Sequence, residues 1–217
     1  MTDLRGRRVL VTGAHRGAGA AAANAIADAG AAVICADRRL SGETVATIRA
    51  AGGRAETWQC DVADDHSVAA LFDALGETGL PLDGVVHAAA IGHGDAAGLT
   101  SPESFDRVMG TNLRGSFLVL RAAAAMMAGP GGRIVVAVTD PAGLGGAGTA
   151  IHAASLAAMQ VLAAGWAREL PEETALNIVS AWPGTDPEET ARLALALLGP
   201  GAGGLRGQVL RAGGPGG

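Results

Sequence analysis

The stretch Thr12-Gly13-Ala14-His15-Arg16-Gly17-Ala18-Gly19 combines residue types and spacings that can do chemistry. It follows the apolar run Val9-Leu10-Val11 and opens an Ala-rich segment, so the glycines fall between a predicted strand and a predicted helix. In that setting Gly13, Gly17 and Gly19 let the backbone turn tightly and let a diphosphate come close, while the helix start offers unpaired N–H groups and a partial positive charge. His15 and Arg16 lie inside the same turn. Asp37 closes the second apolar run, a place where a carboxylate can also be an ordinary solvated strand-end group. A glycine turn that merely packs helix on strand is the plain alternative. Beside the binding half there is a gap in reactive side chains: the 217 residues include no tyrosine and no lysine, and every one of the 16 basic side chains is arginine.

The elements that must position these groups follow from hydrophobic pattern. Short apolar runs at 8–12, 32–36, 55–59, 84–87, 133–138, 175–181 and 208–211 alternate with longer Ala/Leu segments. The runs read as apolar on both faces, as a parallel sheet covered by helices requires. The expected fold class is therefore α/β, a Rossmann-type doubly wound parallel sheet of about seven strands, in a single domain over 1–217. The first helix is expected to start within the glycine turn and stop at Gly30. Another, over 102–127, has Thr100 and Glu103 at capping-box spacing with Pro102 in its first turn. Further helices are expected over 150–170 and 190–198, and the glycine-rich tail 213–217 reads as flexible.

Composition narrows the function classes. A formal charge of -5, with no basic cluster larger than Arg5-Arg7-Arg8 or Arg38-Arg39, argues against nucleic acid as a partner. No apolar run approaches the ~18 residues of a membrane span, and the opening Met-Thr-Asp-Leu-Arg-Gly lacks the apolar core of a signal peptide, so no membrane contact and a cytoplasmic location are expected. Cys35 and Cys60 each end an apolar run and read as buried, reduced thiols.

The spacing TGxxxGxG from Thr12 to Gly19 resembles that of the short-chain dehydrogenase/reductase family, and the likeness runs nearly end to end. Asp37 matches the acid placed on the adenosine ribose, Asp61-Val62 the adenine-contacting pair, and Asn112 in Thr111-Asn112-Leu113-Arg114-Gly115 the family's helix asparagine. Pro183-Gly184 matches the loop after the sixth strand, and Gly207-Gln208-Val209-Leu210 the last strand. The resemblance implies an NAD(P)-dependent oxidoreductase acting on the carbonyl or alcohol of a small molecule. Its implied coenzyme contacts are Gly13, His15, Arg16, Gly17, Gly19, Asp37, Arg38, Asp61, Val62, Ala89, Pro183 and Gly184. Asp37 favours NAD, because it would repel a 2'-phosphate; Arg16 and Arg38-Arg39 leave NADP open.

The same resemblance locates the departures. The family's catalytic serine falls on Thr139, its tyrosine on His152 and its lysine on Leu156, while its NNAG segment reads His87-Ala88-Ala89-Ala90. Thr139 is then the candidate carbonyl holder, Asn112 a positioning group, and His152 the candidate proton relay, since an imidazole ionising near ~6.5 is a competent acid or base at neutral pH. A histidine that only packs at a helix start is the plain alternative. The interval after Pro183-Gly184 also lacks the substrate lid of relatives, which implies an open site, and Trp182 could stack on a planar ligand or belong to the core. Three functions remain open: the atypical oxidoreductase; a catalytically inactive relative that keeps nucleotide binding and pairs with an active subunit; and a non-redox catalyst, a cyclase or dehydratase, using His152 and Asp140. His87, His93, Asp140 and His152 all fall near strand ends, but without ligand spacing no metal is expected. Assembly as a homo-oligomer, or with a related subunit, is expected through the segments 102–127, 150–170 and 208–211.

Overall fold

Seven runs of β-branched and small apolar residues pair side by side in one direction. The computed structural model describes residues 2–92, 94, 99–129 and 131–214. In chain order it contains β1 (Arg8–Thr12), α1 (Gly17–Asp28), β2 (Ala32–Asp37), α2 (Gly42–Ala50), β3 (Arg54–Gln59), α3 (Asp65–Glu77) and β4 (Gly84–His87). There follow α4 (Pro102–Met109), a π-helical turn (Gly110–Arg114), α5 (Gly115–Met127), β5 (Gly132–Thr139), α6 (Ala150–Trp166), β6 (Thr174–Ala181), α7 (Pro187–Leu198) and β7 (Val209–Ala212). The sheet order is β3-β2-β1-β4-β5-β6-β7, and every pairing is parallel. This is the doubly wound α/β fold expected from the run pattern.

Two cores flank the sheet. On one face Ile26 of α1, Ile48 of α2 and Leu197 of α7 pack on Val9, Val11 and Val135. On the other, Leu71 of α3, Leu120 of α5 and Met159 of α6 pack on Leu10, Ile134 and Ile178. The chain reverses direction across the sheet between β1 and β4, so the carboxyl ends of these strands open a crevice at the topological switch point.

Several sequence expectations shift. β3 is not apolar on both faces: its residues alternate between exposed and half-buried, because it lies at the sheet edge with only one neighbour to pair. The cap of α4 is Ser101, whose Oγ accepts the Ser104 N–H, so the expected Thr100–Glu103 box is displaced. The helix expected over 102–127 is interrupted by the π turn at 110–114, and α6 ends at Trp166. Helix α7 begins at Pro187, because Asp186 caps it by accepting the Glu188 N–H. Of the tail read as flexible, 215–217 lie outside the described residues. Cys35 and Cys60 are buried free thiols, and burial pushes Cys35 up to about 12. Among the described residues no helix is long and apolar enough to cross a membrane.

Candidate functional site

The crevice is a cleft of about 690 Å³ running along the carboxyl ends of the strands, from Asp37 and Arg38 at the end of β2 to Trp182–Thr185 beyond β6. Its floor at the β1–α1 turn is shaped by glycine. Gly13 holds a φ of +74°, and a Cβ there would come within 2.7 Å of the Ala88 carbonyl and the Ala89 nitrogen. A Cβ on Gly19 would collide with the Gly13 carbonyl, so the helix start can press onto the turn only without one. Gly17, at φ +59°, faces open space.

Helix α1 starts without a side-chain cap, as α2 and α6 also do. Asp64, Ser101 and Asp186 each place a side-chain oxygen on the first amides of α3, α4 and α7, whereas Arg16 at the start of α1 makes no such bond and no acid stands in the first turn. The first N–H groups of α1 therefore keep their capacity for a ligand, with the helix dipole behind them. Nδ1 of His15 is buried without a partner among the described residues. An open helix start over a turn that excludes side chains at Gly13 and Gly19 fits a diphosphate.

Beyond the turn, Asp37 lines the cleft and accepts the Arg39 N–H at 3.0 Å. Asp61 is held by its own loop: Oδ1 accepts the Ala63 N–H and its backbone N–H donates to Ser67 Oγ, both at 3.0 Å. Val62 is buried against Gly115, where a Cβ would lie 2.9 Å from the Val62 carbonyl. These contacts fix a carboxylate and an apolar surface side by side.

At the far end Thr139, the last residue of β5, and His152, in the first turn of α6, both line the cleft. Thr139 is half-buried and its hydroxyl makes no hydrogen bond among the described residues. His152 is half-buried beside Gly92, whose added Cβ would lie 3.7 Å from Nδ1, and that burial pushes its pKa below the ordinary 6.5. Leu156, one turn on, is only 1% exposed and joins the core beneath. Trp182 lines the opposite wall, backed by Gly143, where a Cβ would reach 3.1 Å from the indole. Only five residues, Trp182–Asp186, separate β6 from α7, so no lid segment intervenes.

All twelve residues assigned to the coenzyme from sequence line this one cleft, as do Thr139 and His152. Asn112 does not. It is fully buried in the π turn, where its amide accepts the Ile91 N–H at 2.8 Å and donates to the Ile91 carbonyl at 2.9 Å and to Ser155 Oγ at 2.8 Å. Ser155 in turn donates to the His152 carbonyl at 2.7 Å. Asn112 thus ties the cleft wall at Ile91 to the helix that carries His152. Asp140 also turns away from the cleft: Oδ1 accepts the Ala142 N–H and Oδ2 lies 3.4 Å from Arg211 Nε. It caps a short turn rather than standing beside His152 as an acid or base.

Sequence reasoning missed the role of His87. The ring is wholly buried under the cleft, with Thr12 Oγ1 at 2.7 Å from Nδ1 and Ser116 Oγ at 2.8 Å from Nε2. The Ser116 proton goes to the Asn112 carbonyl, so Nε2–H donates and Nδ1 accepts from Thr12. Burial pushes the imidazole down to about 4, and it stays neutral. The signal was available in part, since Thr12 and His87 close neighbouring parallel strands at the same level. His87 and Asp140 are thus committed to protein partners, His93 lies outside the described residues, and no metal-holding cluster occurs among the described residues.

The family model for short chain dehydrogenases matches residues 7–191. The chain belongs to the short-chain dehydrogenase family. It is 31% identical over 198 residues to the oxidoreductase asL5 of Sarocladium schorii, covering 90% of this chain and 78% of that protein. With the D-threitol dehydrogenase of Mycolicibacterium smegmatis it shares 33% over 141 residues, 64% of this chain and 54% of that one, so it spans about half of that relative. The crystal structure of a short-chain type dehydrogenase/reductase from Mycobacterium marinum superimposes with a TM-score of 0.90 at 30% identity, over 97% of this chain and 94% of the other. Members of the short-chain dehydrogenase family use nicotinamide coenzymes on small molecules.

Proposed function

We propose that this protein is an NAD(P)-dependent oxidoreductase, NAD being preferred, that moves a hydride between the coenzyme and an alcohol or carbonyl of a small molecule. The observation that carries the reading is the shared wall: Thr139 and His152 line the same cleft whose other end is the open start of α1. A nicotinamide dinucleotide bound there would supply the hydride acceptor or donor. Gly13, Gly17 and Gly19 would hold its diphosphate, and Asp37 its ribose hydroxyls, which supports NAD over NADP. Asn112 acts at one remove, by positioning Ile91 and the helix of His152.

His152 moves the proton. Because burial holds its pKa below 6.5, the imidazole is neutral at pH 7 and acts as a base: it takes the hydroxyl proton of an alcohol as the hydride leaves carbon and the carbonyl forms. Thr139 donates a hydrogen bond to that oxygen. Alcohol oxidation should therefore be level above pH 7 and fall as the pH drops through the depressed pKa. His152→Ala should lower kcat about 100-fold or more and remove the pH dependence. Nicotinamide absorbance followed with NAD and a panel of secondary alcohols checks this, and an H152A enzyme of undiminished rate would remove the residue from the reaction.

A second reading, nucleotide binding without turnover beside an active subunit, is favoured by Leu156, an apolar core residue where the resemblance puts the family's lysine. NADH binding with no turnover of any alcohol or ketone would support it.

A further inference from the structure

A line of buried hydrogen bonds joins the two ends of the cleft. We infer that His87 is a positioning residue for the reaction: with Ser116 it ties the glycine turn to the first turn of α6 and so holds His152 in place. This step rests on the reading of His152 as the group that moves the proton.

The line can be followed bond by bond. Thr12, the residue before Gly13, donates its hydroxyl to His87 Nδ1 at 2.7 Å, and Nε2–H donates to Ser116 Oγ at 2.8 Å. Ser116 donates to the Asn112 carbonyl and also touches Met159 Sδ, a weak acceptor on α6. The Asn112 amide donates to Ser155 Oγ at 2.8 Å, and Ser155 donates to the His152 carbonyl at 2.7 Å. Side chains from β1, β4, α5, the π turn and α6 are thereby connected.

Every donation runs the same way, from the glycine turn toward His152. Each serine hydroxyl has one proton, which goes to a backbone carbonyl, so its oxygen can only accept from the residue before it. Bonds aligned in this way polarise one another. Thr12, His87, Asn112, Ser116 and Ser155 are each 0% exposed, so no water replaces a partner that is lost.

His87 also stands where the turn presses closest on its neighbour strand. The next residues, Ala88 and Ala89, lie 2.7 Å from a Cβ added on Gly13, and the Ala88 N–H donates to the Thr12 carbonyl at 3.1 Å. Thr12 is thus held to the end of β4 through backbone and side chain alike. An apolar residue at 87 would fill the space and leave both the Thr12 and Ser116 hydroxyls without their imidazole partner.

Histidine NMR on the full chain without coenzyme, paired with alcohol-oxidation kinetics, tests the assignment. The His152 resonance is identified by its loss in His152→Ala. Burial holds His152 below the ordinary 6.5, so a loosened first turn of α6 admits water and the titration midpoint moves up toward that value. His87→Leu and Ser116→Ala should each produce this rise and lower kcat about ten-fold. Because both break the same line, the double variant should be no worse than the more impaired single one. His87→Gln, whose amide can still donate to Ser116, should recover most of kcat. Ile48→Ala, a core truncation in α2 on the other face of the sheet, should lose stability without moving the midpoint. Should His87→Leu fail to fold, Ser116→Ala carries the same test. An unmoved midpoint with wild-type kcat in either folded single variant, additive losses in the double variant, or the same rise in Ile48→Ala would overturn the inference. A wild-type chain that oxidises no alcohol while the midpoints move as expected would remove the oxidoreductase reading alone. Turnover that is independent of His87 and Ser116 would remove this inference alone.

Discussion

Two glycines of the same turn differ in what they must do. At Gly13 the positive φ and the Ala88 carbonyl both exclude a side chain, so Gly13→Ala should cost about 2 to 4 kcal/mol of stability and lower nucleotide affinity together. At Gly17 the space is open and only the backbone conformation resists, so Gly17→Ala should cost about 1 kcal/mol. Urea unfolding of the two variants checks the difference. His87 carries a separate expectation. Its folded imidazole ionises near 4, while an unfolded histidine ionises near ~6.5, so between these values the unfolded chain binds the extra proton. The stabilisation is intact above about pH 6.5 and is lost as the pH falls toward 4, on the order of 3 kcal/mol in all. His87→Gln should be less stable at pH 7 and show a flatter decline toward pH 4 in urea melts taken across that window.

At the scale of elements, the π turn between α4 and α5 places an amide where a regular helix would carry it past its partners. Asn112 holds both backbone groups of Ile91 and the Ser155 hydroxyl. Asn112→Ala leaves these buried groups unpaired, for a loss of about 2 to 4 kcal/mol. It should also raise hydrogen exchange at Ile91 and Gly92 more than at β1, which a general loss of stability would not do. The same element explains the limits of the sequence. The glycine turn was legible because strand, glycines and helix are contiguous, whereas Asp37 was assigned through the family resemblance as the acid that ends the next strand. Thr139 and His152 were reached only through the family resemblance, since residues from separate elements have no spacing of their own. Asn112 joins residues 21 and 43 positions away, and no local pattern reports such a pairing. The exposure of β3 was hidden for a similar reason: which strand lies at the edge depends on sheet order, and strand composition does not encode it.

For the whole molecule, the question is what covers the outer faces of α5 and α6. Val161 is 73% exposed, and Phe117, 39% exposed, stacks on Trp166 with ring centroids 5.6 Å apart. Arg121 lies over the same phenyl ring at 5.4 Å, so a cation at the margin of this patch is already directed along its surface. Small side chains around these rings let a second helix pair approach closely, and apolar area of this kind on neighbouring helices is costly to leave in water. A second copy of the chain offers the same patch and satisfies it symmetrically, in keeping with a family that is often oligomeric. Sedimentation at micromolar concentration should therefore report a dimer or larger. Val161→Glu should shift the protein to a monomer while leaving nucleotide binding intact, because α5 and α6 turn this face away from the cleft. A wild-type chain that stays monomeric would count against the assembly, and a V161E variant that stays dimeric would move the interface elsewhere, with the exposed edge at β7 the next surface to test.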